Sequence, residues 1–121
     1  MLPRRHRLTL PRDFADVVRG RGGSGVRRRS AGTALLAVHR RDVDRPDAAS
    51  PRVGVVVSKT VGNSVVRHRV SRRLRAIVAT RIQHWPAGTD LVVRATARAA
   101  GASSAELGAA LDQALTKVGR R

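Results

Sequence analysis

The sequence predicts an α+β domain in which helices pack on one small sheet. Three observations carry this. Val53 to Ser58 (VGVVVS) is a short, apolar, β-branched run with strand character. The longest helical pattern of the chain follows it, over 64–81, and another closes the chain after Ser103. Read in order, the elements run helix, strands, helix, strand, helix, and 121 residues suit one domain over 1–121 with a single core.

Each element has its own signal. Residues 1–12 are basic and punctuated by Pro3 and Pro11, which predicts an extended N-terminal extension. Asp13 to Arg19 reads as a short helix: Phe14, Val17 and Val18 recur at i, i+3 and i+4, the two acids suit a first turn, and Gly20 suits a stop. Residues 20–30 (GRGGSGVRRRS) read as a flexible basic loop with room for a short strand near Val26 to Arg29. Ala34 to His39 is a strand candidate, and Arg40 to Pro51 reads as a turn or loop. In the long helix Val66, Val70, Leu74, Ile77 and Val78 share one face, with Asn63 or Ser64 as cap. Leu91 to Val93 is a further strand. Ser103 and Glu106 form an S-x-x-E capping box that opens the last helix, through Leu107, Leu111, Ala114, Leu115 and Val118.

Charge narrows the function. There are 25 Lys and Arg against 8 Asp and Glu, a formal net charge of +17, and only Lys59 and Lys117 are lysines. Such a domain repels itself and attracts polyanions, nucleic acid first. With Phe14 and Trp85 the only aromatics, a stacking platform of several rings on a sheet is excluded, so arginine–phosphate contact must carry the binding. The absence of cysteine excludes disulfides, thiolate zinc sites and a cysteine nucleophile. No apolar run approaches a membrane span and Met1 to Phe14 lacks a signal-peptide core, so the expected setting is the cytoplasm, with no membrane partner.

The charge is concentrated in the long helix, which holds Arg67, Arg69, Arg72, Arg73, Arg75 and Arg81 and no acid. At about 100° per residue, His68, Arg69, Arg72 and Arg75 lie opposite the apolar stripe, with Arg67 and Arg73 beside them. Like charges at these spacings cost a few tenths of a kcal/mol per pair. Phosphate oxygens, which fit the planar guanidinium, are the natural source of relief. The segment 58–64 (SKTVGNS) adds Lys59 at the helix start, where backbone N–H groups favour an anion. Other signals carry less. Gly20, Gly22 and Gly25 satisfy G-x-G-x-x-G but follow a helix and precede no helix start, and Ser58 stands where a P-loop needs its second glycine. The four histidines lack metal spacing, and Asp42, Asp44 and Asp47 read as a polar turn. No carboxylate pair accompanies the arginines, so no side chain of this chain is expected to be catalytic.

The run RVGVVVSKTVGNSVVRHRVSRRLR, residues 52–75, resembles the signature of the bacterial ribonuclease P protein family. Arg52, Gly54, Ser58, Lys59, Gly62, Val65, Arg67, Arg69, Arg72 and Arg75 match that signature; His68, Ser71 and Ser64 replace its Asn, Lys and Ala. The resemblance implies a two-layer sandwich of a mixed four-stranded sheet and about three helices, ribosomal-protein-like, with a left-handed βαβ crossover through the arginine helix. It implies a subunit of a tRNA-processing endoribonuclease whose partner RNA performs the hydrolysis with Mg²⁺ and needs no small-molecule cofactor. The catalytic RNA would meet Lys59, Arg67, His68, Arg69, Arg72, Arg73 and Arg75. The 5′ leader of precursor tRNA would lie in a cleft with Phe14, Val18, Val38, Arg52 and Lys59. No metal would be held by the protein alone, with an RNA-shared site near His68 left open, and missing ring residues at Val18 and near Val38 would weaken base stacking. Composition by itself equally allows a structural RNA-binding protein such as a ribosomal component.

Overall fold

The computed structural model describes residues 6–8, 17, 26–43 and 50–119. Four strands, β1 (Val26–Gly32), β2 (Leu36–Val43), β3 (Arg52–Val56) and β4 (Thr89–Ala95), form one mixed sheet in the order β1-β2-β4-β3. The β1–β2 and β2–β4 pairs are antiparallel, and β3 and β4 are parallel. Parallel neighbours need a crossover, and α1 (Ser64–Ala79) supplies it; α2 (Ser104–Gly119) follows β4. Two α-helices are thus seen among the described residues. Of the stretch expected as a first helix only Val17 is described; it is helical and buried.

The sheet is covered on both faces. On one, Leu36, Val38, Val53, Leu91, Val93 and Ala95 pack with Val70, Leu74 and Val78 of α1 and with Leu107, Leu111, Ala114 and Val118 of α2. The helical periodicity therefore places the core correctly, and each fully buried Leu or Val contributes about 1.5–3 kcal/mol. On the other face Val92 and Val56 pack with Leu8 and Val17. Residues 6–8 lie along β3: Arg7 bridges Val53 in parallel, and Leu8 N donates to Val53 O at 3.0 Å.

Three boundaries differ from the sequence reading, for one reason. Within the basic loop expected over 20–30, β1 begins at Val26, where the sequence allows a short strand, but runs to Gly32 rather than ending near Arg29, β2 runs to Val43 rather than stopping at His39, and β4 extends beyond Leu91 to Val93 on both sides. In each case charged or small residues are held as strand by their neighbours. Arg28 pairs with Arg41, Arg41 with Asp90, and Asp42 with Thr89, whose Oγ1 donates to Asp42 Oδ1 at 2.9 Å. Tertiary pairing overrides local propensity at such positions. The long helix ends at Ala79, and Ile82–His84 continues as a single 3₁₀ turn. There Arg81 binds Asp112 of α2 and donates to Ile77 O at 3.1 Å, locking the two helices together. Gly108 marks their close approach, since a Cβ there would meet Arg81 at 3.4 Å.

Candidate nucleic-acid interface

The arginine helix is set in place from its N-terminal end. A 3₁₀ turn, Lys59–Val61, buries Val61 and leaves Lys59 exposed. Gly62 follows at φ 156°, where an added Cβ would press on Val66 at 3.0 Å, so glycine is required. Asn63 then caps the helix, its side chain accepting from Val66 N at 3.0 Å.

With Val70, Leu74 and Val78 turned inward, the arginines divide into two sets. Arg69 and Arg73 lean along the flank toward the 3₁₀ turn at Ala97–Gly101: Arg69 Nη2 reaches Ala100 O at 3.4 Å, and Arg73 Nη1 donates to Ala102 O at 2.8 Å. Both are half-buried and help to fix that turn. His68, Arg72 and Arg75 point outward and are exposed, with no ion pair or hydrogen bond among the described residues. Arg67 is half-buried, touches Ser64 Oγ at 3.4 Å and leaves its Nε buried without a partner. Of the residues expected to meet RNA, the fold therefore leaves His68, Arg72 and Arg75 exposed on the outward face of α1, with Lys59 exposed in the turn that precedes the helix. It gives Arg69 and Arg73 a structural anchor as well.

The described acids serve elsewhere. Asp42 pairs with Arg40 at 2.9 Å, Asp90 with Arg41 and Arg52 at 2.9 and 3.0 Å, and Asp112 with Arg81. Glu106 completes the capping box: its Oε1 accepts from Ser103 N at 3.0 Å while Ser103 Oγ accepts from Glu106 N at 3.1 Å. Those bonds to Ser103 hold the Glu106 carboxyl below its ordinary value, and the Arg81 hydrogen bond does the same for Asp112. Both remain ionised and committed, and none of these four acids reaches the outward face of α1. Among the described residues no group of three or more His, Cys, Asp or Glu could hold a metal ion. Asp44 and Asp47 lie outside the described residues.

The sheet face away from α1 and α2 is the second surface. Register aligns three rows across the four strands: Arg28, Arg41, Asp90 and Arg52; then Ser30, His39, Val92 and Gly54; then Gly32, Ala37, Arg94 and Val56. Asp90 is buried and grips both neighbours, taking Arg41 Nη2 at 2.9 Å and Arg52 Nε and Nη2 at 3.0 Å each. His39 lies in the middle row with Nε2 buried and unpartnered. Burial, and then the charge of Arg94, pushes its imidazole below the ordinary value.

This register corrects one expected cleft residue. Val38 does not line an open surface: it is fully buried in the main core beneath the helices. Side chains alternate along a strand, so the positions that face the other way are Ala37 and His39. Arg52 does lie on that second face, whereas Phe14 and Val18 fall outside the described residues. Sequence reasoning missed His39, Arg41, Asp90 and Arg94. Their period-two spacing was a usable signal, but the stop placed at His39 and the short strand over Leu91 to Val93 concealed it.

These features can be set against known proteins. A family model for ribonuclease P matches residues 2–119. The chain is 45% identical over 119 residues to the ribonuclease P protein component of Acidothermus cellulolyticus, covering 98% of this chain and 92% of that protein. The chain belongs to the ribonuclease P protein family. It is accordingly a protein subunit of ribonuclease P, a tRNA-processing endoribonuclease. The ribonuclease P protein component of Streptomyces bikiniensis is 44% identical, with 98% of this chain and 95% of that protein covered. The fold agrees: the Staphylococcus aureus RNase P protein superposes with a TM-score of 0.75 at 20% identity over 93% of this chain and 94% of that one. The RNase P protein from Thermotoga maritima gives 0.70 at 23% identity, over 97% and 98%. Among the described residues no helix is long and apolar enough to cross a membrane.

Proposed function

We propose that the outward face of α1 binds the catalytic RNA of ribonuclease P while the opposite sheet face receives the 5′ leader of precursor tRNA. The observation that carries the first half is the unneutralised stripe His68, Arg72 and Arg75, with Lys59 at the helix start, in a fold whose described acids are all engaged elsewhere. Each phosphate docked there releases condensed counterions, so affinity comes largely from salt-dependent entropy. Arginine supplies the planar donors that phosphate oxygens accept. The leader reading rests on the second face, where Arg52, Arg41 and Arg94 surround the His39 row. A single strand lying beside the Leu8 and Val17 cover would meet the cationic edges of Arg41, Arg52 and Arg94 in place of a stack of aromatic rings. Phe14 and Val18, on the expected helix, belong to this reading as contacts to be tested.

The chemistry of hydrolysis falls to the RNA. Mg²⁺ is a hard cation that takes oxygen ligands, and the side chains around His68, namely Ser64, Arg67, Ser71 and Arg75, offer no anionic oxygen. They do not form a protein site for it. The ion belongs with RNA phosphates, and the protein acts by lowering the repulsion between two RNAs, in the cytoplasm where precursor tRNA is made.

The test is direct. Precursor tRNA is incubated at low Mg²⁺ with this protein, with a bacterial ribonuclease P RNA, and with both. Cleavage at the mature 5′ end in the combined reaction, beyond that of the RNA alone, is the expected result. Cleavage by the protein alone would overturn the assignment of catalysis to RNA. Tight RNA binding without enhancement would point to a structural RNA-binding role.

A further inference from the structure

Beside the outward stripe of α1 lies a cleft that the general picture of a basic helix on RNA leaves unexplained. Val55 and Val57, at the exit of β3, form one wall. Ser64, Arg67, His68, Ser71 and Arg75 form the other. On α1 these residues are spaced by three, one, three and four, which is one continuous helical stripe. The cleft is open to solvent and offers about 290 Å³, near the lower end for small-ligand sites. A space of that size takes one flat group.

The lining has three chemical parts. Two half-buried valines offer an apolar surface. Two guanidiniums give cationic planes, an imidazole adds a polar ring, and two hydroxyls can donate or accept. The Nε of Arg67, one of the lining residues, is buried and has no hydrogen-bond partner among the described residues. No carboxylate lines the cleft, so a cationic ligand is excluded. A second depression, bounded by His68, Ser71, Arg72, Arg75 and Ala76, shares three of these residues. The two together make a groove that continues along the helix, which suits a ligand that is itself a chain.

We infer that this cleft captures a single unstacked nucleotide of the partner RNA, its base against Val55 and Val57 and its phosphate between Arg67 and Arg75. The base then has the apolar surface of the two valines in place of an aromatic ring. Arg72 lies in the continuing groove and takes the phosphate of a neighbouring nucleotide. The inference rests on the reading of α1 as the RNA-binding face and adds what that reading lacks, a site for a base.

Ser71→Leu separates the two. Leucine is a good helix former; it fills the cleft and removes no charge. Assembly with a bacterial ribonuclease P RNA is titrated across salt for the unaltered protein, Ser71→Leu and Arg72→Ala. Each complex is also probed with a base-modifying reagent at single-nucleotide resolution. Ser71→Leu is expected to weaken assembly about tenfold with an unchanged salt slope, and one nucleotide protected by the unaltered protein should become reactive. Unchanged affinity and protection would overturn the inference. So would weakening with no newly reactive nucleotide, because the cleft would then hold only backbone. If Arg72→Ala also leaves affinity and slope unchanged, the RNA face itself is misplaced. Circular dichroism checks the helix, and Ser71→Met, with an unbranched side chain, repeats the test should leucine disturb it.

Discussion

Asp90 is the point where the second face can be tested quantitatively. Its side chain is 7% exposed, and its carboxylate accepts three hydrogen bonds from two arginines. Asp90→Ala removes all three and leaves Arg41 of β2 and Arg52 of β3 facing each other across β4 without the carboxylate between them. Breaking one partner of a buried pair costs about 3–5 kcal/mol. Here the two arginine side chains keep 16% and 29% of their exposure, so water softens the loss. The lower end applies, about 3 kcal/mol. Unfolding entropy is about 2.1 cal/mol/K per residue, which for a chain of 121 residues makes 1 kcal/mol worth about 4 °C. Asp90→Ala should therefore lower Tm by about 12 °C, read by circular dichroism in moderate salt. Arg52→Ala should lose less, since the Arg41–Asp90 pair survives it. Binding of the catalytic RNA, measured well below Tm, should stay within about twofold, because Asp90 lies across the sheet from α1. A Tm drop of less than about 4 °C, which is about 1 kcal/mol, would refute the reasoning and reduce the arginine–carboxylate row to a screened surface pair.

The other predictions concern α1, α2 and His39. Replacing Arg72 and Arg75 with Ala should flatten the dependence of log affinity on log salt by about 0.9 per lost phosphate contact, with Tm unchanged; an unaltered slope removes both from the interface. Ser103→Ala should cost about 1 kcal/mol by opening the capping box of α2, seen as a lower Tm with RNA affinity retained; no change in Tm would mean that water replaces the cap. His39 should make stability fall as pH drops below the ordinary imidazole range of about 6.5. Its folded-state pKa is lowered, so the unfolded chain binds the proton more readily and stability rises with pH through that window. His39→Gln should flatten the corresponding part of a Tm–pH curve, and identical curves would show that the ring is solvated.

How much of this was legible in the residues depends on where the signal resides. The apolar stripe of α1, its Asn63 cap, the Ser103–Glu106 box and the placing of arginines on α1 are local, because a helix repeats every 3.6 residues and its caps are set by neighbours in sequence. The +17 charge and the 52–75 signature point to an RNA partner by themselves. Three things were decided only by tertiary structure. Ser30 to Gly32 and Arg40 to Val43 are strand because distant residues pair with them, not because of their own propensity. The alternation along β2 then buries Val38 and turns Ala37 and His39 to the other face, which no reading of single residues near position 38 could settle. Finally, Arg69 and Arg73 look the same as Arg72 in sequence. Ala100 of the turn at Ala97–Gly101 and Ala102 just after it engage the first two and leave Arg72 outward, because carbonyls some thirty positions away in the chain come within reach of one flank of the helix.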